Sequence, residues 1–109
     1  MLTPRSDGSE SRRPIWVVVA DGDAYVRSYL GKRGAWYQRA LADGSAALEV
    51  AGRRIDVAAE PEHDENINRK VSDAFQAKYG ESSPGPTQAM VSPEVTETTL
   101  RLVTRASQG

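Results

Sequence analysis

With 109 residues, of which 39% are hydrophobic and 27% charged, the chain has the size and composition of one soluble globular domain spanning residues 1–109. A formal net charge of −1 argues against general nucleic-acid binding, and the absence of cysteine excludes disulfides and thiolate chemistry. No apolar run approaches the ~20 residues that span a bilayer, and the N-terminus lacks a signal-peptide pattern, so a cytoplasmic protein is expected.

The first 13 residues are predicted to form a short edge strand followed by a mobile loop. Residues 2–5 contain Pro4, which a sheet tolerates at its edge. Residues 6–11, with the sequence SDGSES, have the composition of a turn or loop.

A β-hairpin is predicted next, and the rest of the chain is expected to be arranged around it. Residues 15–19 are apolar and β-branched, as in a strand covered on both faces. Asp21-Gly22 is typical of a type I′ turn, and residues 24–29 alternate as a second strand. Arg27 and Ser28 lie at the end of this strand, immediately before a loop that contains Gly31, Lys32, Arg33 and Gly34.

A short helix and a second hairpin follow. Residues 34–43 space their apolar side chains as a helix does, and Gly44 is predicted to end it. Residues 45–51 and 54–60 are predicted strands joined by a tight turn, and Pro61 is predicted to break the ladder.

The strongest helix prediction runs from Asp64, a good N-cap, to about Tyr79, with Gly80 as its stop. Its apolar face consists of Ile67, Val71, Ala74, Phe75 and Tyr79. Residues 82–86 are predicted as a loop, residues 87–91 as one further helical turn, and residues 98–104 as a final strand. Short strands with hairpin turns and two helices predict a mainly β fold, a small antiparallel barrel of about six strands.

Three stretches carry a resemblance to a known family: IWVVVADGDAYVRS, GAWYQRALADGSAALEVAGRR and DAFQAKYG. They resemble an uncharacterised bacterial family of split β-barrel proteins related to the pyridoxamine-phosphate oxidase and deazaflavin-dependent nitroreductase superfamily. The resemblance to the superfamily covers residues 15–57. The superfamily's Asn-Pro after the helix is Asp43-Gly44 here, so any contact through that Asn is lost.

The resemblance implies an FMN-binding split-barrel fold with a pocket for FMN or a deazaflavin coenzyme at the barrel rim. It also implies that two copies pack as a homodimer through their barrel faces. The residues that occupy the cofactor-binding positions are Arg27, Ser28, Lys32, Arg33, Trp36 and Tyr37. A guanidinium, a hydroxyl and loop amides suit a phosphate, while the redox chemistry would be the cofactor's.

Each of these residues also has a simpler interpretation. Arg27 would otherwise be a surface residue stacked between Tyr25 and Tyr29, and the Lys32-Arg33 loop would be solvated. Trp36 and Tyr37 would otherwise be core residues. If Arg27 binds phosphate, its removal is expected to weaken cofactor binding and leave thermal stability nearly unchanged.

The sequence predicts neither a metal site nor an acid–base site around His63, the single histidine of the chain. His63 has no nucleophile or orienting partner nearby in sequence, and the surrounding carboxylates are expected to cap and solvate a helix start.

Three functions therefore remain open: a flavin- or deazaflavin-binding oxidoreductase, a non-catalytic small-molecule binder, and an interaction module that kept the barrel without a ligand. A small-molecule cofactor is the expected partner, with no nucleic acid, membrane or metal.

Overall fold

A computed structural model describes residues 2–4, 10–12, 15–50 and 52–104. They form a seven-stranded antiparallel sheet with the strand order β2-β1-β5-β6-β7-β4-β3. The strands are β1 Leu2–Pro4, β2 Glu10–Arg12, β3 Val17–Ala20, β4 Asp23–Val26, β5 Ser45–Val50, β6 Arg53–Pro61 and β7 Leu100–Thr104. The α-helices in the described residues are α1 Ala35–Asp43, α2 Glu65–Tyr79, α3 Pro84–Met90 and α4 Pro93–Thr96, and a 3-10 turn spans Gly31–Arg33.

The sheet is open, which corrects the predicted closed barrel. Its two edges, β2 and β3, lie at opposite ends of the strand order, and in the described part of the chain they do not pair. Tyr37 and Ala40 of α1 instead join the apolar layer on one face of the sheet, so a helix covers this face. With four α-helices described around an antiparallel sheet, the fold is mixed α and β, and the mainly β prediction holds only for the sheet.

The β3–β4 hairpin forms as predicted. Asp21 and Gly22 both have positive φ, 53° and 86°, as a type I′ turn requires. The second strand ends earlier than predicted, at Val26, because the Ser28 amide donates to Thr98 Oγ1 at 2.9 Å and not to a neighbouring strand. Val19 is 70% exposed, so the prediction of a strand covered on both faces is wrong there.

Two apolar layers lie on opposite faces of the hairpin. Val26 of β4 packs with Leu100 and the residues of α1, and we call this the α1 layer. Tyr25 of the same strand packs with Val71 and Phe75 of α2, and we call this the α2 layer. The alternation of side chains along an extended strand places neighbouring residues in different layers.

Local signals position the helices. Asp64 caps α2 by accepting a hydrogen bond from the Ile67 amide at 3.0 Å, as predicted. Gly44 ends α1 with a φ of 74°. Residues 84–86, predicted as loop, begin α3, because proline is tolerated in the first helical turn.

Some strand boundaries in the structure differ from the predicted ones. Pro61 is the last residue of β6 and pairs with Leu100, so it ends the ladder without preventing it. The strand β2 was not predicted, and the predicted loop 6–11 lies mostly outside the described residues. No helix within the described residues has both the length and the apolar composition needed to cross a membrane.

Candidate functional site

Arg27 is the largest fully buried side chain described, with 1% of its surface exposed. It follows β4 on the same side as Tyr25 and extends beneath α2. Its Nε donates to Thr99 Oγ1 at 2.9 Å, and its Nη1 donates to Ser72 Oγ at 2.8 Å and to the Met90 carbonyl at 3.0 Å. Its Nη2 donates to the Asn68 carbonyl at 3.0 Å and to Asn68 Oδ1 at 3.3 Å.

These five bonds use all five N–H groups of the guanidinium. They connect the end of β4 with α2, with the last turn of α3 and with Thr99, the residue before β7, so Arg27 joins elements that are distant in sequence. The guanidinium also lies 5.5 Å from the centre of the Phe75 ring. Arg27 is therefore a structural cross-link, which contradicts its interpretation as a surface residue between two tyrosines.

The acceptors around Arg27 are all neutral. They are hydroxyl, amide and carbonyl oxygens, and none of the carboxylates described pairs with the guanidinium. Burial lowers the pKa of Arg27 to about 10, because an apolar environment disfavours the charged form. The group stays protonated at neutral pH, so the α2 layer contains a positive charge without a counter-ion among the described residues.

A cavity of about 330 Å³ lies beside this charge. It is lined by Ile15, Trp16, Arg27, Tyr29, Trp36, Pro86 and Met90, and we call it the Arg27 cavity. Arg27 and Met90 are buried and form its floor, whereas Tyr29, which is 55% exposed, and Pro86 lie at its rim. The cavity therefore has a charged floor, apolar and aromatic walls and an open mouth.

Packing against neighbouring rings holds two of the aromatic walls. Trp16 stacks on Tyr79 of α2 with ring centres 3.9 Å apart and planes at 11°. Trp36 of α1 meets Tyr37 edge to face at 6.3 Å. Because each indole is supported from behind, its remaining face or edge is available to the cavity at little cost in conformational entropy.

Ser28 lies elsewhere. Its side chain is fully buried and, in the part of the chain described, its Oγ has no hydrogen-bond partner. A Cβ atom added to Gly34 would come within 2.1 Å of this oxygen, so the hydroxyl is enclosed against the loop backbone. It does not line the Arg27 cavity.

Lys32 and Arg33 line a separate hollow of about 440 Å³ together with Glu94 and Glu97. Lys32 is 69% exposed and forms an ion pair with Glu97 at 3.5 Å. Exposed pairs of this kind contribute little to stability. The basic loop is thus balanced by acidic side chains and does not face Arg27.

Tyr37 is part of the α1 layer, 6% exposed, and borders a third hollow that also contains Lys32 and His63. Of the six residues predicted to bind a cofactor, the structure brings Arg27 and Trp36 to one cavity and places the other four outside it. The six residues therefore do not line one common hollow within the part of the chain described.

Sequence reasoning missed the other cavity walls. Trp16 and Ile15 belong to the apolar run 15–19, a pattern that indicates a buried strand and not the wall of a cavity. Pro86 and Met90 lie in a segment predicted as loop and a single turn. The positions of the two tryptophans could have indicated these walls. Trp16 stands at the start of the predicted hairpin, and Trp36 follows the loop that contains Lys32 and Arg33.

Comparison with curated proteins gives no match. Comparison with protein families matches residues 1–102 to the family described as uncharacterized protein conserved in bacteria, DUF2255. This description names no ligand and no activity. Because the match spans nearly the entire length of the 109 residues, the chain belongs to this bacterial family, DUF2255.

Proposed function

We propose that this protein binds a small molecule with a planar aromatic ring in the Arg27 cavity, as a binding protein that need not catalyse a reaction. The observation that supports it is the lining of the cavity, where Trp16, Tyr29 and Trp36 surround a space of about 330 Å³. Pockets for small molecules are usually concave, mostly apolar and about 300–1,000 Å³ in volume, with a few polar groups that set orientation.

A flavin or deazaflavin ring is the ligand implied by the split-barrel resemblance. The aromatic walls and the sulfur-containing side chain of Met90 suit such a ring, and the open mouth allows a polar tail to extend into solvent. A bound flavin would supply hydride or electron transfer, while the protein would hold and orient the ring.

The phosphate part of that proposal fits less well. All five N–H groups of Arg27 are already engaged, Ser28 is enclosed, and Lys32 and Arg33 face another hollow. We therefore propose recognition of the ring alone, with the tail outside the cavity. FMN and riboflavin, which differ only in the phosphate, should then bind with similar affinity.

Intrinsic fluorescence provides a direct test, because the only two tryptophans of the chain both line the cavity. Titration of the protein with riboflavin, FMN and a 5-deazaflavin should quench this fluorescence saturably. Trp36→Leu should weaken binding at least tenfold, whereas Leu41→Ala, at an exposed position of the same helix outside the Arg27 cavity, should leave binding unchanged.

The outcomes separate the open functions. Binding followed by reduction of the ring with a nicotinamide or other hydride donor would favour the oxidoreductase, and binding without turnover would favour the non-catalytic binder. If no ring compound changes the fluorescence and calorimetry detects no binding heat, the proposal is contradicted. An interaction module without a ligand would then be the remaining function.

A further inference from the structure

The charge of Arg27 bears on what the cavity can hold. A guanidinium that is 1% exposed usually has a carboxylate partner, because removing an ion from water is costly. Here the five acceptors carry only partial negative charges, and no ion pair to Arg27 forms within residues 15–50 and 52–104. The net charge beside the cavity is therefore positive.

We propose that, among planar ring compounds, the Arg27 cavity prefers an organic anion, a compact ring that carries a single carboxylate. This inference rests on the proposed function, since it assigns a charge to the ligand of the same cavity. It differs from the predicted phosphate site because the attraction acts through space and requires no free N–H of Arg27.

The surroundings strengthen such an attraction. The walls are mostly apolar and aromatic, and the floor residues Arg27 and Met90 are shielded from water. In a cleft with apolar walls, the attraction between two opposite charges is screened less by water than on an open surface. An anion that entered the cavity would supply the negative charge that the described residues do not.

The volume limits the size of this anion. At about 330 Å³ the Arg27 cavity lies near the lower end of the range for small-molecule sites. One ring or two fused rings with a carboxylate fit this space, whereas a dinucleotide or a long acyl chain would extend far beyond the rim.

A matched set of three probes tests the charge alone. The compounds 2-naphthoate, 2-naphthamide and 2-naphthylmethylamine share one ring system and are anionic, neutral and cationic at neutral pH. Calorimetric titration of the wild-type protein should give binding of the carboxylate at least tenfold tighter than that of the amide, and weakest binding of the amine.

Failure of the anion preference and failure of the proposed ring binding give different results. If the amide or the amine binds as tightly as the carboxylate, the cavity accepts rings but not anions, and the inference falls while the proposed function survives. If no naphthalene compound and no flavin binds, both fall.

Variants that keep Arg27 in place provide a second test. Pro86→Glu would put a negative charge at the rim of the cavity, on the exposed first turn of α3, where a carboxylate is compatible with the helix dipole. It should reduce the preference for carboxylate over amide at least threefold. Gln88→Glu adds the same charge at an exposed position of the same helix outside the lining and should leave the preference unchanged. Equal preferences in both variants and the wild type would contradict the inference.

Discussion

The two faces of the β3–β4 hairpin use burial differently. The α1 layer is built from apolar side chains, with Val26, Leu100 and Tyr37 at its centre. The α2 layer encloses Arg27, the residue that follows β4, together with the hydroxyls of Ser72 and Thr99. The α1 layer therefore stabilises the domain through burial of apolar side chains. The α2 layer depends in addition on the hydrogen bonds that satisfy every N–H group of Arg27, and the Arg27 cavity lies beside this charge.

The largest effect is expected from breaking the polar network. Arg27→Met should lower the free energy of unfolding by about 5 kcal/mol, because buried oxygens of Asn68, Met90 and Thr99 lose their donor. This reverses the expectation from the sequence that removal of Arg27 leaves stability nearly unchanged. Urea denaturation measures the change.

Arg27→Lys serves as the control for this variant. It keeps the charge but has three donors where arginine has five, so it should recover only part of the lost stability. A loss below about 1 kcal/mol in Arg27→Met would show that the network contributes little.

A smaller loss is expected on the apolar face. Leu100→Ala removes a fully buried side chain from the α1 layer and should cost about 3 kcal/mol, through lost burial and the cavity left behind. Leu100 does not line the Arg27 cavity, although Ile15 and Trp36 of its lining pack against the α1 layer, so affinity for ring compounds should change far less than stability. A parallel loss of affinity in the folded variant, at a temperature well below its Tm, would show that the two faces are coupled.

The contact between Gly34 and Ser28 allows a sharper test in the loop that follows β4. Gly34→Ala should cost about 1–3 kcal/mol, because the new methyl group would overlap the enclosed Ser28 hydroxyl. Ser28→Ala should cost less than about 1 kcal/mol, since its Oγ has no partner in the described structure.

The double variant decides whether this contact is the cause. Thermal unfolding of Gly34→Ala in the Ser28→Ala background should recover most of the loss, because the nearest remaining side-chain atom would be 3.4 Å away. If the two costs simply add, the strain lies elsewhere in the loop.

The smallest effect is expected from the basic loop. Lys32→Met removes one exposed ion pair with Glu97 and should change stability by less than about 0.5 kcal/mol. Its affinity for FMN should equal that of the wild type, because Lys32 does not line the Arg27 cavity. A tenfold weaker affinity for FMN, but not for riboflavin, would restore the phosphate role predicted for this loop.

Local patterns predicted much of the fold. The Asp21-Gly22 turn, the Asp64 cap and the apolar period of α2 are features of short segments, and each occurs as predicted. The prediction was wrong at Pro84, which starts a helix where a loop was expected, because proline favours both a loop and a first helical turn. Closure into a barrel was not predictable, since it depends on which element covers the apolar face of the sheet.

The site was less predictable than the fold. Spacing could place Arg27 and Ser28 at the end of a strand, but neighbours in an extended chain face opposite sides, and the two side chains do separate. Proximity in sequence suggested one site for Arg27, Lys32 and Trp36, whereas the structure joins only the first and the last.

Short-range patterns are enough to specify the hairpin, the amphipathic helix that covers it and the arginine that follows the strand, because turn chemistry and hydrophobic period act over a few residues. The burial of this arginine, the oxygens that surround it and the cavity beside it arise from packing between distant parts of the chain. Those outcomes depend on contacts between residues up to 72 positions apart, and local preferences carry no information about such contacts.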